Sequence, residues 1–120
     1  MDRAEQGRGG EQAACRYLAR HGCRILGRNV RCRQGEIDIV AAQGETLLIV
    51  EVKTRSRSDF GTPAEAVGWS KRRCIAAAAR YYLALHPWAG PVRFDVVEVY
   101  RSALGGQINW IPNAFEVYEA

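Results

Sequence analysis

The sequence predicts a mixed α/β fold, with helices packed against one β-sheet in the order α, β, β, β, α, β, β. Three observations lead there. Two segments carry apolar residues at helical spacing, and five short segments are rich in β-branched residues. The longer helical segment falls between the third and fourth strands, so it must act as a crossover that lays the fourth strand parallel to the third. With 120 residues, of which 48% are hydrophobic and 25% charged, the chain has room for one core, and a single domain over residues 1–120 is expected.

Gly7, Gly9 and Gly10 are expected to loosen the start, so the first helix is drawn from Glu11 to His21, with Ala14, Tyr17 and Leu18 on one face and Gly22 as its stop. Cys23 to Cys32 reads as the first strand, with Gln34-Gly35 as a turn. Glu36 to Ala42 alternates, placing Ile37 and Ile39 on one face and Glu36, Asp38 and Val40 on the other. Gln43-Gly44 then reads as a hairpin turn. The third strand, Leu47 to Thr54, opens with Leu47, Leu48, Ile49 and Val50, an unbroken apolar run that suits a central strand buried on both faces.

Arg55 to Gly61 reads as a polar loop. Thr62, Pro63 and Glu65 match the start of a capped short helix running toward Trp69. Ser70 is expected to cap a longer helix to His86, carrying the stripe Ile75, Ala78, Ala79, Tyr82 and Leu83 and ending before Pro87. Val92 to Tyr100 is the fourth strand, with Val92, Phe94 and Val96 inward and Arg93 and Asp95 outward. Gln107 to Ile111 is the fifth.

Composition narrows the function classes. No apolar run approaches the roughly 20 residues that would span a bilayer, and the N-terminus lacks the apolar stretch of a signal peptide, so a cytoplasmic protein without membrane partners is expected. Cys15, Cys23, Cys32 and Cys74 form no CxxC pair and have no nearby His, which argues for reduced thiols rather than a zinc site. The net charge of +4 and pI near 9.1 favour an acidic partner. Only Lys53 and Lys71 are lysines, every other cation being arginine. A lysine in such a chain hints that a compact ammonium was needed.

The chemistry gathers on two neighbouring strands. Glu51 and Lys53 are two residues apart on the third strand and must project from one face. If the Gln43-Gly44 hairpin pairs strands two and three, Asp38 lies beside Glu51 and Val52. Two close carboxylates repel each other unless a cation neutralises them. Mg²⁺, or Mn²⁺, would do so while keeping waters, one of which could attack a phosphate, and a nearby Lys would orient that water or stabilise charge on phosphorus. The plain alternative is a strand-end carboxylate and a surface ion pair with no chemistry.

Gly35-Glu36-Ile37-Asp38 followed by Val50-Glu51-Val52-Lys53-Thr54-Arg55 resembles the PD-(D/E)XK nuclease superfamily. More closely, with Phe60-Gly61-Thr62-Pro63-Ala64-Glu65-Ala66-Val67, Lys71, Arg93-Phe94-Asp95-Val96-Val97 and Asn113-Ala114-Phe115, the chain resembles the YraN-like family of bacterial proteins related to Holliday-junction resolvases. The resemblance implies a restriction-endonuclease-like fold, with Asp38 and Glu51 as metal ligands, the Val52 carbonyl as a further oxygen, and Lys53 as the base-like or charge-stabilising group. It also implies Glu11 on the first helix as an additional acid. That position shares a helix face with Ala14 and Leu18, although an acid in a first turn also merely complements the helix dipole.

Arg28, Arg31, Arg33, Arg55 and Arg57 flank this site, and Lys71, Arg72 and Arg73 sit at a helix start, which makes all eight candidates for gripping a nucleic-acid backbone. Glu36 reads as a solvated neighbour, Glu65 as a cap, and Trp69, Trp88 and Trp110 as packing residues rather than stacking platforms. The expectation is a metal-dependent endonuclease hydrolysing phosphodiester bonds in branched or structured DNA, with homodimerisation expected because so small a chain covers little of a junction. The rivals are a non-catalytic nucleic-acid-binding or protein-interaction module that keeps the fold, and an RNA-directed nuclease.

Overall fold

The computed structural model describes residues 3–55, 67–100 and 106–117, with side chains from residue 9 onward. These fold as α1 (Arg3–Arg20), β1 (Arg24–Arg31), β2 (Glu36–Gln43), β3 (Thr46–Arg55), α2 (Trp69–Leu85), β4 (Val92–Tyr100) and β5 (Gln107–Ile111). One five-stranded sheet has the order β1-β2-β3-β4-β5, antiparallel throughout except for the parallel β3–β4 pair. This is the mixed sheet flanked by helices that the sequence predicts, and α2 is the crossover that makes the parallel pair.

Each helix covers one face. Leu47 and Ile49 of β3 join Ile75, Ala78, Ala79 and Tyr82 of α2 in one core, while Leu48 and Val50 join Ala14 and Leu18 of α1 in the other. An alternating strand between two apolar layers needs apolar residues at every position, which explains the unbroken Leu47–Val50 run. α1 closes at Gly22, whose φ of +89° suits glycine, as the Cys23 N–H reaches back to the Leu18 carbonyl at 3.0 Å. Gly44, with φ of +58°, turns β2 into β3.

Four expectations need correction. α1 starts at Arg3, running through Gly7, Gly9 and Gly10. Gly10 is buried against β3, where a Cβ would strike the Thr54 hydroxyl, so its lack of side chain lets the helix lie close on that strand. The N-cap of α2 is Gly68 without a side-chain bond, in place of a Ser70 cap. Asp95, read as outward, is fully buried, while Val92 is exposed. Ile37 and Ile39 do not share a face, for the reason given below. The helix expected from Thr62 lies outside the described residues, as do Glu65 and Arg57.

Candidate functional site

β2 and β3 pair as far as Ile39–Val50, and the next residues on each strand are Asp38 and Glu51. There the Val52 N–H donates to the Asp38 side chain, to Oδ2 at 2.8 Å. On β2 the face alternation breaks at the same point. Ile37 and Val40 enter the α2-side core, whereas Ile39 and Ala41 enter the α1-side core. Across from Asp38, between the Arg28–Ile39 and Val30–Ile37 pairs of β1, stands Asn29 with φ of +51°. A left-handed residue in a strand twists it locally, and the twist frees Asp38 from simple alternation.

Glu51 and Lys53 share a face of β3 as expected, with Lys53 Nζ 3.7 Å from Glu51 Oε1. Lys71, from the first turn of α2, brings its Nζ to 3.4 Å from the same oxygen. Gly35 makes this approach feasible, because a Cβ there would collide with the Cys74 backbone, one turn after Lys71.

Burial, then the neighbouring Asp38, pushes Glu51 up from 4.5 to about 7, against the opposing pull of Lys71 and Lys53. Burial also raises Asp38, held back by the Val52 N–H, a hydrogen bond with Glu51, and Lys71. Two carboxyls that share a hydrogen bond in a site of low polarity resist joint ionisation. Glu11 is likewise raised, first by burial and then by Asp38, and bonds Asn29. Its carboxylate lies 3.9 Å from Arg28.

Among the described residues, no three His, Cys, Asp or Glu side chains gather into a group able to hold a metal ion. What is gathered is the pair Asp38 and Glu51, with Glu11 in electrostatic reach of Asp38 but outside it. The pair fits Mg²⁺ in donor chemistry, since that ion takes one or two carboxylates and keeps several waters. It fits also in charge, since both acids are raised and a cation would relieve them.

The basic residues divide. Arg33 and Arg73 are exposed, as backbone grip requires. Arg31 is paired with Glu36 at 3.3 Å and Arg28 with Glu11. Arg55, one of the candidates for gripping a nucleic-acid backbone, turns inward, its Nε 2.7 Å from the buried Glu98 carboxylate in an ion pair without hydrogen-bond alignment. Arg72 donates from Nε to the Val67 carbonyl at 2.7 Å and stacks 4.6 Å over Trp69 and 5.4 Å over Phe115. Trp88 and Trp110 are packing residues, their Nε1 groups donating to the Glu45 carbonyl and to Asp95. Trp69, expected to pack, is 57% exposed. Lys71 is the residue whose place was missed, and its signal was its being one of only two lysines.

Comparison with known proteins places the chain in a family. The model of the uncharacterised protein family UPF0102 matches residues 10–99. A UPF0102 protein of Moorella thermoacetica is 52% identical over 101 residues, covering 83% of this chain and 84% of its own. One of Clostridioides difficile is 44% identical over 116 residues, covering 96% and 100%. Among solved structures, the structure of Pyrococcus furiosus SfsA in complex with Ca²⁺ aligns with a TM-score of 0.37 at 14% identity, over 92% of this chain and 64% of that one. The family match takes in Glu11, Asp38, Glu51, Lys53 and Lys71, and the chain belongs to UPF0102, the YraN family.

Proposed function

We propose that this chain is a divalent-metal-dependent endonuclease that hydrolyses phosphodiester bonds in DNA, branched or otherwise structured. The observation that carries the reading is the adjacent pair of withdrawn carboxyls, Asp38 and Glu51, with Lys53 on the same face. Both acids are raised even with Lys53 and Lys71 beside them, and strongly shifted pairs of this kind cluster at working sites. The structured-DNA part rests on the resemblance to resolvases. The cytoplasmic setting and a homodimer belong to the same reading.

Asp38 and Glu51 would hold Mg²⁺ or Mn²⁺, with the Val52 carbonyl as a further oxygen and Glu11 as an outer acid beside Asp38. A bound ion would neutralise the carboxylates and acidify a coordinated water at the scissile phosphate. The Val52 N–H fixes the Asp38 carboxylate by donating to Oδ2. Lys53 Nζ, tethered 3.7 Å from Glu51, is set to orient the attacking water or neutralise charge developing on the phosphate. Arg33 and Arg73 would contact neighbouring phosphates.

The second reading is a binding module that keeps the fold, favoured by Glu51 having two ammonium partners already. Metal-dependent cleavage of linear, flapped and four-way DNA and RNA substrates separates the two. Lys53→Ala should keep metal and DNA binding while cleavage falls by about 10²- to 10⁴-fold, the range for a positioned acid–base group. Wild-type protein that binds four-way DNA tightly but cuts nothing with Mg²⁺ or Mn²⁺ supports the binding module instead.

A further inference from the structure

The chain has 17 Lys and Arg residues and only two of them are lysines. Both converge on one oxygen, Glu51 Oε1, with Lys53 Nζ at 3.7 Å and Lys71 Nζ at 3.4 Å. They come from different elements: Lys53 reaches Glu51 along its own strand, β3, whereas Lys71 reaches it from the first turn of α2 through the tertiary fold alone. The approach of Lys71 depends on Gly35, which admits the α2 backbone at Cys74. The two lysines also differ. The Lys53 side chain is 27% exposed and Lys71 is 52% exposed. Lys71 therefore has one path to Glu51 and another to solvent.

Charge decides what each can do. Without a metal, two ammoniums face two carboxyls that resist joint ionisation, so the site carries no excess of negative charge. A doubly charged ion entering beside Glu51 leaves an excess of positive charge, and the ammonium with the greater access to water is the one that leaves most easily. Lysine suits such a move. Its charge is compact and carried on a flexible stem, whereas a guanidinium prefers a fixed two-point contact.

We propose that Lys71 is a placeholder cation: it neutralises Glu51 while the divalent ion is absent, yields the carboxylate when the ion binds, and then turns to a phosphate of the bound strand. The idea rests on the metal-dependent reading of the site and adds a regulatory exchange to it. Loading of the site and grip on nucleic acid become coupled through one side chain. In the metal-free protein Lys71 is occupied by Glu51 and contributes little to binding a strand. In the loaded protein it contributes fully.

The scarcity of lysine makes the exchange directly observable. The full chain is reductively methylated with ¹³C, which preserves the ammonium charges and, apart from the N-terminal amine, labels only two residues. Lys53→Arg and Lys71→Arg assign the signals. On adding Mg²⁺ the Lys71 signal should move to the position of a free dimethyl-lysine, in step with the calorimetric binding curve, while Lys53 stays displaced from it. Lys71→Met should bind Mg²⁺ about five- to tenfold more tightly than wild type, as expected when a competing cation is removed. With Ca²⁺ present, the same variant should bind a four-way DNA junction about tenfold more weakly, against less than about twofold in EDTA.

The outcomes separate cleanly. If Mg²⁺ binds and Asp38→Asn abolishes that binding, yet the Lys71 signal does not move, the placeholder idea is overturned and the nuclease reading stands. Tighter Mg²⁺ binding by Lys71→Met with an unmoved wild-type signal overturns it too, because the gain then reflects only the loss of a positive charge. If the wild-type chain binds neither Mg²⁺ nor Mn²⁺, both readings fall together.

Discussion

Two pairs of carboxylates sit in the sheet, and the protein treats them in opposite ways. On β4, Asp95 and Glu98 are buried and saturated. Asp95 takes two bonds from Arg93, at 2.8 and 3.0 Å, one from Trp110 Nε1 at 2.8 Å and one from the Asn113 N–H at 2.9 Å. Glu98 takes Tyr100 and Asn109 at 3.0 Å each, with Arg55 at 2.7 Å. On β2 and β3, Asp38 and Glu51 share a hydrogen bond and, among the described residues, meet one backbone donor and two lysine ammoniums beyond 3 Å, and both are raised. Acids bonded on all sides by the fold's own donors hold the fold together, whereas two raised acids sharing one site are the pattern found where chemistry is done.

The largest effect expected from this contrast is on stability. Asp95→Ala would leave Arg93, Trp110 Nε1 and the Asn113 N–H without their acceptor in a buried site, at a loss of roughly 3–5 kcal/mol. Chemical denaturation measures it. A loss below about 1 kcal/mol, the level of an exposed ion pair, would mean that Asp95 is not the structural acid its bonds suggest.

At the other pair the sign reverses and pH exposes it. The folded protein holds the Glu51 proton more tightly than the unfolded chain, since its pKa rises from 4.5 to about 7. That contribution is fully present below the unfolded value and is lost as pH climbs through 7. At about 1.36 kcal/mol per unit the shift is worth roughly 3 kcal/mol, and Asp38 acts in the same direction. Metal-free wild type should therefore lose stability between pH 5 and pH 8, and Glu51→Gln should flatten the curve by most of that amount. Equal slopes in the two proteins would erase the distinction between the pairs.

The contrast also marks where the sequence was legible. The order of elements, the Gly44 turn and the shared face of Glu51 and Lys53 follow from periodicity and glycine placement, which are local. Asp95 was read as outward because a charged residue in an alternating strand usually is. Its burial depends on Trp110 and Asn113, 15 and 18 residues further on, and no local pattern announces that. The break in β2 at Asp38 depends on Asn29 of the neighbouring strand taking a left-handed conformation. Arg55 and Lys71 were both read as phosphate contacts, since sequence gives a side chain's charge but not which buried acid it meets.

The same division between satisfied and available charge applies to the cations at the start of α2, and there the expected effects are smallest. Arg72 is committed within the protein, bonded to the Val67 carbonyl and stacked over Trp69 and Phe115. Arg72→Ala should reduce stability by about 1–2 kcal/mol through the lost bond and cation–π contact. Arg73, one residue on, is exposed. Arg73→Ala should leave stability unchanged within about 0.5 kcal/mol, as most surface substitutions do. It should instead weaken nucleic-acid binding across sequences and reduce the slope of log K against log salt by about 0.9, the value for one phosphate on duplex DNA. Salt titrations of the two single variants, set beside their denaturation curves, make the comparison. If Arg72→Ala reduces the salt slope as much as Arg73→Ala does, a stacked and bonded arginine still reaches phosphate, and satisfaction within the fold does not remove a charge from the binding surface.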